Sequence, residues 1–168
     1  VDAAFGLFSR LTPGRFHYTE GIELADSITT DGHKWLNVPY DCGIFFTKHT
    51  ELLQQSCSVA APYLDVASGL PSFMDRGIEN SRRFRALPVW MKLMAYGKEG
   101  YRQLVEKNCA QALSLADWID TAEGYDLLTP CKLNVVVFRP KGLRDDEVKM
   151  MLDKINSSGK VYLTPGVW

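Results

Sequence analysis

A chain of 168 residues with 46% apolar and 11% aromatic side chains has enough hydrophobic surface to bury a core, and its composition does not suggest disorder. The formal net charge of −1 provides no positive field for a polyanion and argues against nucleic-acid binding. No apolar run approaches the roughly 18 residues of a membrane span and no signal peptide is visible. A cytoplasmic protein without a membrane partner is therefore expected, as one domain or parts of two.

Cysteine and histidine spacing gives no indication of a metal site. The four cysteines are scattered without paired spacing, which is typical of thiols rather than disulfides or metal ligands. The three histidines lie 16 residues apart each time, so no two are neighbours on one helical turn. A glycine-rich dinucleotide loop or P-loop motif is also missing from the sequence.

The first third of the chain reads as short strands joined by loops. Residues 1–5 predict a parallel strand, residues 6–21 a loop-rich crossover, and the β-branched residues 27–30 a second strand. Residues 43–47 predict a short buried strand, and residues 49–55 a short helix. Residues 56–80 carry several Pro and Gly breakers with little periodicity, and a loop of that length is usually a functional lid or disordered.

The second half predicts alternating helices and strands. A helix over residues 82–96 and another over residues 101–121 are separated by glycines, and the second carries apolar residues at near-helical spacing: Leu104, Val105, Ala112, Leu115, Trp118 and Ile119. A strand over residues 133–139, an amphipathic helix starting at the acidic residues 145–147, and a strand over residues 161–163 follow. This tail predicts a small C-terminal domain with a boundary within residues 80–100.

The segment from Asp26 to Trp35 is the most informative one. Gly32 lets the backbone turn sharply, and Lys34 stands between His33 and Trp35. An amine in a partly desolvated site loses its proton more readily and becomes a nucleophile toward carbonyl groups. A loop lysine beside a core tryptophan explains the same residues equally well.

A carboxylate near the start of the chain favours the chemical interpretation. Asp2 lies in the first predicted strand, 32 residues before Lys34, which is enough for a crossover and a return to the same sheet edge. Pyridoxal phosphate requires a lysine that forms an imine with its aldehyde and a carboxylate that keeps its pyridine nitrogen protonated. Small Ala4 would let the ring lie flat against the backbone.

Three motifs then carry a specific resemblance. They are residues 1–4 (VDAA), the lysine segment with residues 26–27, 33–36 and 41–42, and residues 81–87 (SRRFRAL) with Trp90 and residues 96–97. In order and spacing they resemble the group II pyridoxal-phosphate-dependent amino-acid decarboxylases, the family of the aromatic-L-amino-acid, histidine and glutamate decarboxylases. The resemblance covers residues 1 to about 100 and fits the remainder more loosely.

The resemblance implies an α/β fold of the aspartate-aminotransferase type (type I). Residues 1–80 would be the C-terminal part of the large cofactor-binding domain, and residues 81–168 a linking helix and a truncated small α/β domain. It also implies a longer protein, whose missing N-terminal part would hold the cofactor phosphate, and a homodimer with its active site at the interface.

The implied reaction is decarboxylation of an L-amino acid to the amine and CO₂. Lys34 would hold pyridoxal phosphate as an imine, Asp2 would pair with the pyridine N–H, and His33 would contact the phosphate or the ring surroundings, unless it is a structural imidazole. Tyr63, in the predicted loop, would protonate the substrate Cα from across the dimer; without the resemblance, it reads as a tyrosine covering an apolar surface. Transamination, aldehyde synthesis, carbon–carbon lysis or a truncated non-catalytic interaction module remain alternatives.

One departure from the family pattern concerns the residues before His33. The family often has Asn-Pro there, where this chain has Asp31-Gly32. A carboxylate near the phosphate would repel it unless turned away or protonated. Phosphate contacts are therefore assigned to the hydroxyl groups of Ser27 and Thr30, with Thr29 as an alternative. The arginines Arg82, Arg83 and Arg85 are expected to be structural, with one paired to a carboxylate at the domain junction.

Overall fold

The computed structural model describes residues 1–58 and 73–166. Tyr63, the predicted proton donor, lies outside these residues, so its role stays a prediction. The chain divides into two compact units, Val1–Val105 and Glu106–Trp168. The predicted boundary within residues 80–100 and the assignment of each part to a domain also stay predictions.

The first unit is built on a two-stranded sheet. Strand β1 (Ser27–Asp31) pairs antiparallel with β2 (Gly43–Thr47), with Ser27 opposite Thr47 and Asp31 opposite Gly43. These strands confirm the predictions for residues 27–30 and 43–47, since β-branched and aromatic residues favour extended backbone. The expectation that β2 is buried is wrong for the described residues, because Phe45 and Phe46 are both exposed.

The predicted strand over residues 1–5 is reduced to a single parallel bridge between Asp2 and Thr29. The backbone N–H of Ala3 donates to the Thr29 carbonyl at 2.8 Å, and that of Thr29 donates to the Val1 carbonyl at 3.0 Å. The chain turns away immediately afterwards. The predicted loop-rich crossover consists instead of the 3-10 helices Gly6–Leu11, Pro13–Thr19 and Ile22–Leu24, whose tight turns suit a glycine- and proline-punctuated segment.

Trp35 organises the core of the first unit. Its side chain is buried, and its ring meets the rings of Phe5 and Phe8 edge-on, with centroid distances of 6.1 and 6.2 Å. Leu36 and Val38 are buried beyond it. The expectation that Lys34 is followed by a core tryptophan is therefore confirmed.

Helix α1 (Thr50–Cys57) confirms the predicted short helix, and the long helix α2 (Ala86–Thr121) contains both later ones. Helix α2 begins at Ala86 rather than at residue 82. Pro88 is tolerated because it lies in the first turn, where its missing N–H has no intrahelical partner to lose. At Gly97 the backbone leaves the helical region (φ 60°, ψ −177°), which is the break that the glycine predicted.

The buried face of α2 differs in part from the predicted stripe. Leu115 and Trp118 are exposed, because the buried positions recur at alternating spacings of four and three residues, which selects one helix face. The buried residues on that face are Val105, Cys109, Ala112, Ala116 and Ile119.

The second unit pairs β3 (Tyr125–Leu127) antiparallel with β4 (Phe138–Pro140), and α3 (Asp145–Ser157) follows. The predicted strand over residues 133–139 is formed only from Phe138 onward, as β4, which pairs with the three residues of β3. The acidic start of α3 is confirmed: the Glu147 carboxylate accepts the Arg144 N–H at 2.8 Å.

The last predicted strand, over residues 161–163, is not formed in the described part of the chain. Both backbone groups of Leu163 are instead paired with the Asn156 side chain, its N–H at 2.8 Å and its carbonyl at 2.9 Å. Among residues 1–58 and 73–166, no helix combines the length and hydropathy that crossing a bilayer requires.

Candidate active site around Lys34

Lys34 lies on the turn that follows β1. The Lys34 N–H donates to the Asp31 carbonyl at 3.3 Å, and the Lys34 carbonyl accepts from the Asn37 N–H at 3.0 Å. Trp35 and Leu36 are buried immediately afterwards. The turn is thus fixed on both sides of Lys34, and this anchoring limits where its amine can reach.

The amine of Lys34 has two partners. Its Nζ lies 2.8 Å from Asp31 Oδ2, and each of the two side chains is only about one-quarter exposed, at 28% and 27%. The same Nζ lies 4.4 Å from the centre of the Phe5 ring, a cation–π contact. The hydrogen bond from Lys34 is the largest cause that lowers the pKa of Asp31; partial desolvation opposes it, and the charges of Lys34 and His33 add to it.

The tautomer of His33 follows from its hydrogen bond. The Cys42 N–H donates to His33 Nδ1 at 3.1 Å, so Nδ1 carries a lone pair and a neutral ring carries its hydrogen on Nε2. That Nε2 lies 3.8 Å from Asp31 Oδ2. The ring also packs against Tyr40, with centroids 4.0 Å apart. His33 is therefore held in one orientation with a donor available.

Asp2 lies on the backbone segment that adjoins β1. Its parallel bridge places it beside Thr29, two residues before the end of the strand. Asp2 is exposed, and its Oδ1 accepts a hydrogen bond from the Ala4 N–H at 3.0 Å. The carboxylate is fixed relative to its own turn, and Ala4 contributes a backbone group to that turn. Pairing of Asp2 with a pyridine N–H and stacking on Ala4 stay predictions.

The two hydroxyl groups that were predicted to bind phosphate lie in different surroundings. Thr30 is buried, and its hydroxyl donates to the Ala3 carbonyl at 3.0 Å. Ser27 lies at the opposite end of β1 from Lys34, where it lines a surface depression together with the neighbouring residues Asp26, Phe45, Thr47, His49, Leu52, Leu53 and Ser56. Their phosphate contacts stay predictions.

An ion-pair network connects the residues before α2 to the loop after Lys34. Asp41 is paired with both Arg83 and Arg85, the latter at 2.9 Å, and Arg83 also donates to the Tyr40 carbonyl at 3.2 Å. Glu79 accepts from Arg85 at 2.9 Å. A backbone hydrogen bond is the first cause that lowers the pKa of Asp41, and the two arginines add to it. The expected structural arginines thus hold the loop next to His33.

Sequence reasoning missed two of these contacts. The pair of Asp31 with Lys34 was readable from their i, i+3 spacing, because such side chains can meet across one turn. Asp41 as the shared partner of Arg83 and Arg85 had no such signal, since the partners are 42 residues or more apart. Among the described residues, no group of three His, Cys, Asp or Glu side chains could hold a metal ion.

Lys34, His33 and Asp2 fit pyridoxal phosphate in chemical type. A partly exposed primary amine suits the aldehyde, an Nε2 hydrogen on His33 suits an anionic oxygen, and the exposed carboxylate of Asp2 suits a protonated pyridine nitrogen. The Asp31 carboxylate would repel a phosphate, and it is turned to Lys34.

Comparison with known proteins decides the family. The profile described as "Pyridoxal-dependent decarboxylase conserved domain" matches residues 1–141. The chain belongs to the pyridoxal-dependent decarboxylase family. This membership confirms the predicted family and, at the level of the family, its cofactor, pyridoxal phosphate.

Two curated relatives of the chain are named for different products. An aromatic-L-amino-acid decarboxylase of Drosophila lebanonensis is 31% identical over 98% of the chain and 41% of its own length. A 4-hydroxyphenylacetaldehyde synthase of Rhodiola rosea is 29% identical over 98% of the chain and 35% of its own length. The chain thus spans between about a third and two-fifths of these relatives.

Solved structures of the same family share the fold. Oryza sativa TDC, crystallised with PLP and tryptamine, superposes with a TM-score of 0.90 at 25% identity, covering 99% of this chain and 37% of that one. Catharanthus roseus tryptophan decarboxylase in complex with L-tryptophan gives a TM-score of 0.85 at 29% identity, covering 100% and 35%. The predicted type I fold of the group II decarboxylases is confirmed by this likeness, whereas the small C-terminal domain stays a prediction.

Proposed function

We propose that this chain provides the lysine-bearing part of a decarboxylase that converts an aromatic L-amino acid to its amine and CO₂. One observation carries the proposal: the partly exposed amine of Lys34 lies on a fixed turn, with the donor nitrogen of His33 beside it. The names of the relatives support an aromatic substrate, since they include aromatic-L-amino-acid and tryptophan decarboxylases.

Four residues have a definite task in this proposal. When bound, pyridoxal phosphate supplies the electron sink that lets the α-carboxylate leave as CO₂. Lys34 would hold the cofactor through its amine. His33 donates its Nε2 hydrogen to an anionic oxygen, and the charge of Asp2 stabilises a proton on the pyridine nitrogen. Tyr63 would return a proton to the substrate Cα.

The assembly belongs to the same proposal. We infer a cytoplasmic homodimer in which Tyr63 reaches the active site across the interface, with residues 1–80 in the large domain and residues 81–168 forming the linking helix and part of the small one. The likeness to solved family members supports this division.

The test is borohydride reduction of the longest natural form of the chain in the presence of pyridoxal phosphate, followed by peptide mass mapping. A pyridoxyl group on Lys34, lost in Lys34→Ala and kept in Lys48→Ala, is the expected result. Lys48 is a suitable control because it is an exposed lysine of the same unit. Absence of the adduct from the full protein would contradict the proposal and favour a non-catalytic interaction module.

A second candidate, aldehyde synthesis, is favoured by the Rhodiola rosea relative. The resemblance associates aldehyde formation with phenylalanine in place of the loop tyrosine, and this chain has Tyr63. Incubation of the loaded enzyme with an aromatic amino acid separates the two reactions: amine and CO₂ without hydrogen peroxide indicate decarboxylation, whereas phenylacetaldehyde-type products with peroxide indicate the alternative.

A further inference from the structure

Three consecutive residues hold the ring of His33. The Tyr40 ring packs against it, with the two centroids 4.0 Å apart and the planes inclined by 31°. The backbone N–H of Cys42 donates to its Nδ1 at 3.1 Å. Asp41, between these two residues, directs its carboxylate to arginines of another segment of the chain. The orientation of the imidazole therefore depends on where residues 40–42 are held.

Two arginines hold residues 40–42 in place. Arg83 contacts them twice, through a hydrogen bond to the Tyr40 carbonyl at 3.2 Å and an ion pair with Asp41 Oδ1. Arg85 lies 2.9 Å from the other carboxylate oxygen, Oδ2, and is also paired with Glu79 at 2.9 Å. The Asp41 carboxylate is thus shared by two cations, and each cation has a second partner.

We propose that Asp41 is a positioning residue for His33. Held by the two arginines, its carboxylate fixes the neighbouring backbone, so that the Cys42 N–H stays on Nδ1 and the ring keeps Nε2 as its donor. This inference deepens the proposed function and rests on His33 contacting the cofactor that Lys34 binds. The role is indirect, because the carboxylate acts on the ring through the backbone of residues 40–42.

The shared partners give these ion pairs their effect. A single exposed ion pair contributes little, because water screens its charges, whereas a network of several charges contributes more. In this network Arg85 is only 27% exposed, and Asp41 is 58% exposed. The pKa of Asp41 is lowered, first by a backbone hydrogen bond and further by the two arginines, while desolvation opposes them. The carboxylate is therefore charged at neutral pH, as its pairing with two arginines requires.

A purely structural role for Asp41 makes a different prediction. If Asp41 only stabilises the loop, replacing it weakens cofactor binding whether or not residue 33 is a histidine. If Asp41 acts through the His33 ring, the same replacement loses its effect once that ring is absent. A double-mutant cycle between residues 41 and 33 separates the two roles.

The cycle is measured as affinity for pyridoxal phosphate, in the longest natural form of the chain after removal of the cofactor. Equilibrium dialysis gives the Kd of the unaltered protein, Asp41→Asn, His33→Ala and the double variant. The matched control is Asp126→Asn, which removes a carboxylate of nearly equal exposure, 57%, that is paired with Lys141 in the second unit.

The expected result is a loss of affinity that requires the imidazole. Asp41→Asn raises Kd about threefold to tenfold, which is within the usual coupling between residues of one network. When residue 33 is alanine, the same change alters Kd by less than about twofold, the margin of independent sites. Asp126→Asn leaves Kd unchanged. An equal loss in both backgrounds, or no loss in either, would overturn the proposal.

A second readout does not depend on the cofactor. Hydrogen exchange of the Cys42 amide, followed by mass spectrometry with fragmentation of the peptides, reports how often its bond to His33 opens. In the cofactor-free protein, Asp41→Asn should speed this exchange at least about fivefold. The amide of Ala3, bonded to the Thr29 carbonyl at 2.8 Å on the other side of β1, should keep its rate. Unchanged exchange at Cys42 contradicts the role of Asp41.

Arg83→Lys keeps the inference testable if Asp41→Asn does not fold. Lysine retains a positive charge but lacks the planar group that serves the Tyr40 carbonyl and Asp41 together. Faster exchange at Cys42 and a loss of affinity that disappears without the imidazole are again expected, and normal values of both contradict the proposal. Absence of the borohydride adduct on Lys34 would instead contradict the proposed function, whatever the exchange of the Cys42 amide shows.

Discussion

The hydroxyl of Tyr101, on helix α2, donates a hydrogen bond to the carbonyl of Leu36, 3.1 Å away, across 65 positions of sequence. Tyr101 is 3% exposed, and burial raises the pKa of its hydroxyl. Leu36 is two residues after Lys34, so the helix is joined directly to the segment that carries Lys34.

Removing this hydroxyl should destabilise the first unit. Tyr101→Phe keeps the ring and leaves the buried Leu36 carbonyl without this donor, so the free energy of unfolding should fall by about 1 kcal/mol. Tyr96→Phe is the matched control, because Tyr96 is an exposed tyrosine on the same helix. Urea denaturation of the variants measures both changes, and equal values for the two would contradict the structural role of the bond.

A methyl group at residue 32 should strain the turn. A Cβ on Gly32 would lie 2.7 Å from Cys42 Sγ and 3.3 Å from Val38 Cγ2. Overpacking of this kind costs about 1–3 kcal/mol, so Gly32→Ala should lower the free energy of unfolding by that amount. The loss should be smaller in a Cys42→Ala background, where the closest atom is gone.

The control for this prediction is Gly43→Ala, because no atom lies within 4 Å of a Cβ built at Gly43. A double-mutant cycle in urea gives the coupling between residues 32 and 42. A cycle without coupling, or a Gly43 variant as unstable as Gly32→Ala, would show that the close approach of Cys42 is not the cause.

Acid should weaken the contribution that Glu99, on α2, makes to the stability of the fold. Hydrogen bonds from Arg102, and then from Gln103, lower the pKa of Glu99 to about 2. Because the folded pKa is below the ordinary value of 4.5, the stabilisation is fully present above that ordinary value and is lost as the pH falls toward 2. The difference in melting temperature between the natural chain and Glu99→Gln should therefore be largest near neutral pH and shrink in acid. A difference that is constant with pH would contradict this.

The thiol of Cys42 should react slowly in the native protein. Cys42 is 4% exposed, and burial, followed by the charge of Asp41, raises the pKa of its thiol. Alkylation by iodoacetamide near pH 8 should be at least about tenfold slower than for the same thiol in urea, because both access and thiolate fraction are reduced. Mass mapping of Cys42 in timed samples measures the two rates, and similar rates would contradict the buried environment.

Local sequence patterns predicted the elements whose causes are local. The β-branched residues of β1 and the acidic first turn of α3 act on their own backbone, and both elements formed. The strand expected over residues 161–163 depended on a partner that sequence does not specify, and Asn156 took its hydrogen bonds instead. Exposure of Phe45 and Phe46 was similarly unpredictable, since apolar content does not specify a covering element.

In the candidate site, too, the features with local causes were predictable and the contacts with distant residues were not. The turn that carries Lys34 and the carboxylate of Asp2 beside β1 were predictable from Gly32 and from strand order. The hydrogen bond that selects the His33 tautomer comes from the backbone of Cys42, nine residues later, and depends on the antiparallel return of β2. No pattern in the sequence encodes that return, so the donor nitrogen of His33 could be assigned only from the structure.

Position 32 has a consequence for engineering the turn. The Gly32 N–H donates to the Cys42 carbonyl at 2.8 Å, and a proline has no N–H to give. The Asp31 side chain, by contrast, is bonded only through its carboxylate to its neighbours on the turn. A library that randomises residues 31 and 32 together should therefore return folded clones with many residues at the first position and glycine at the second. The asparagine that the resemblance predicts at position 31 can then be introduced here, while a proline at position 32 cannot.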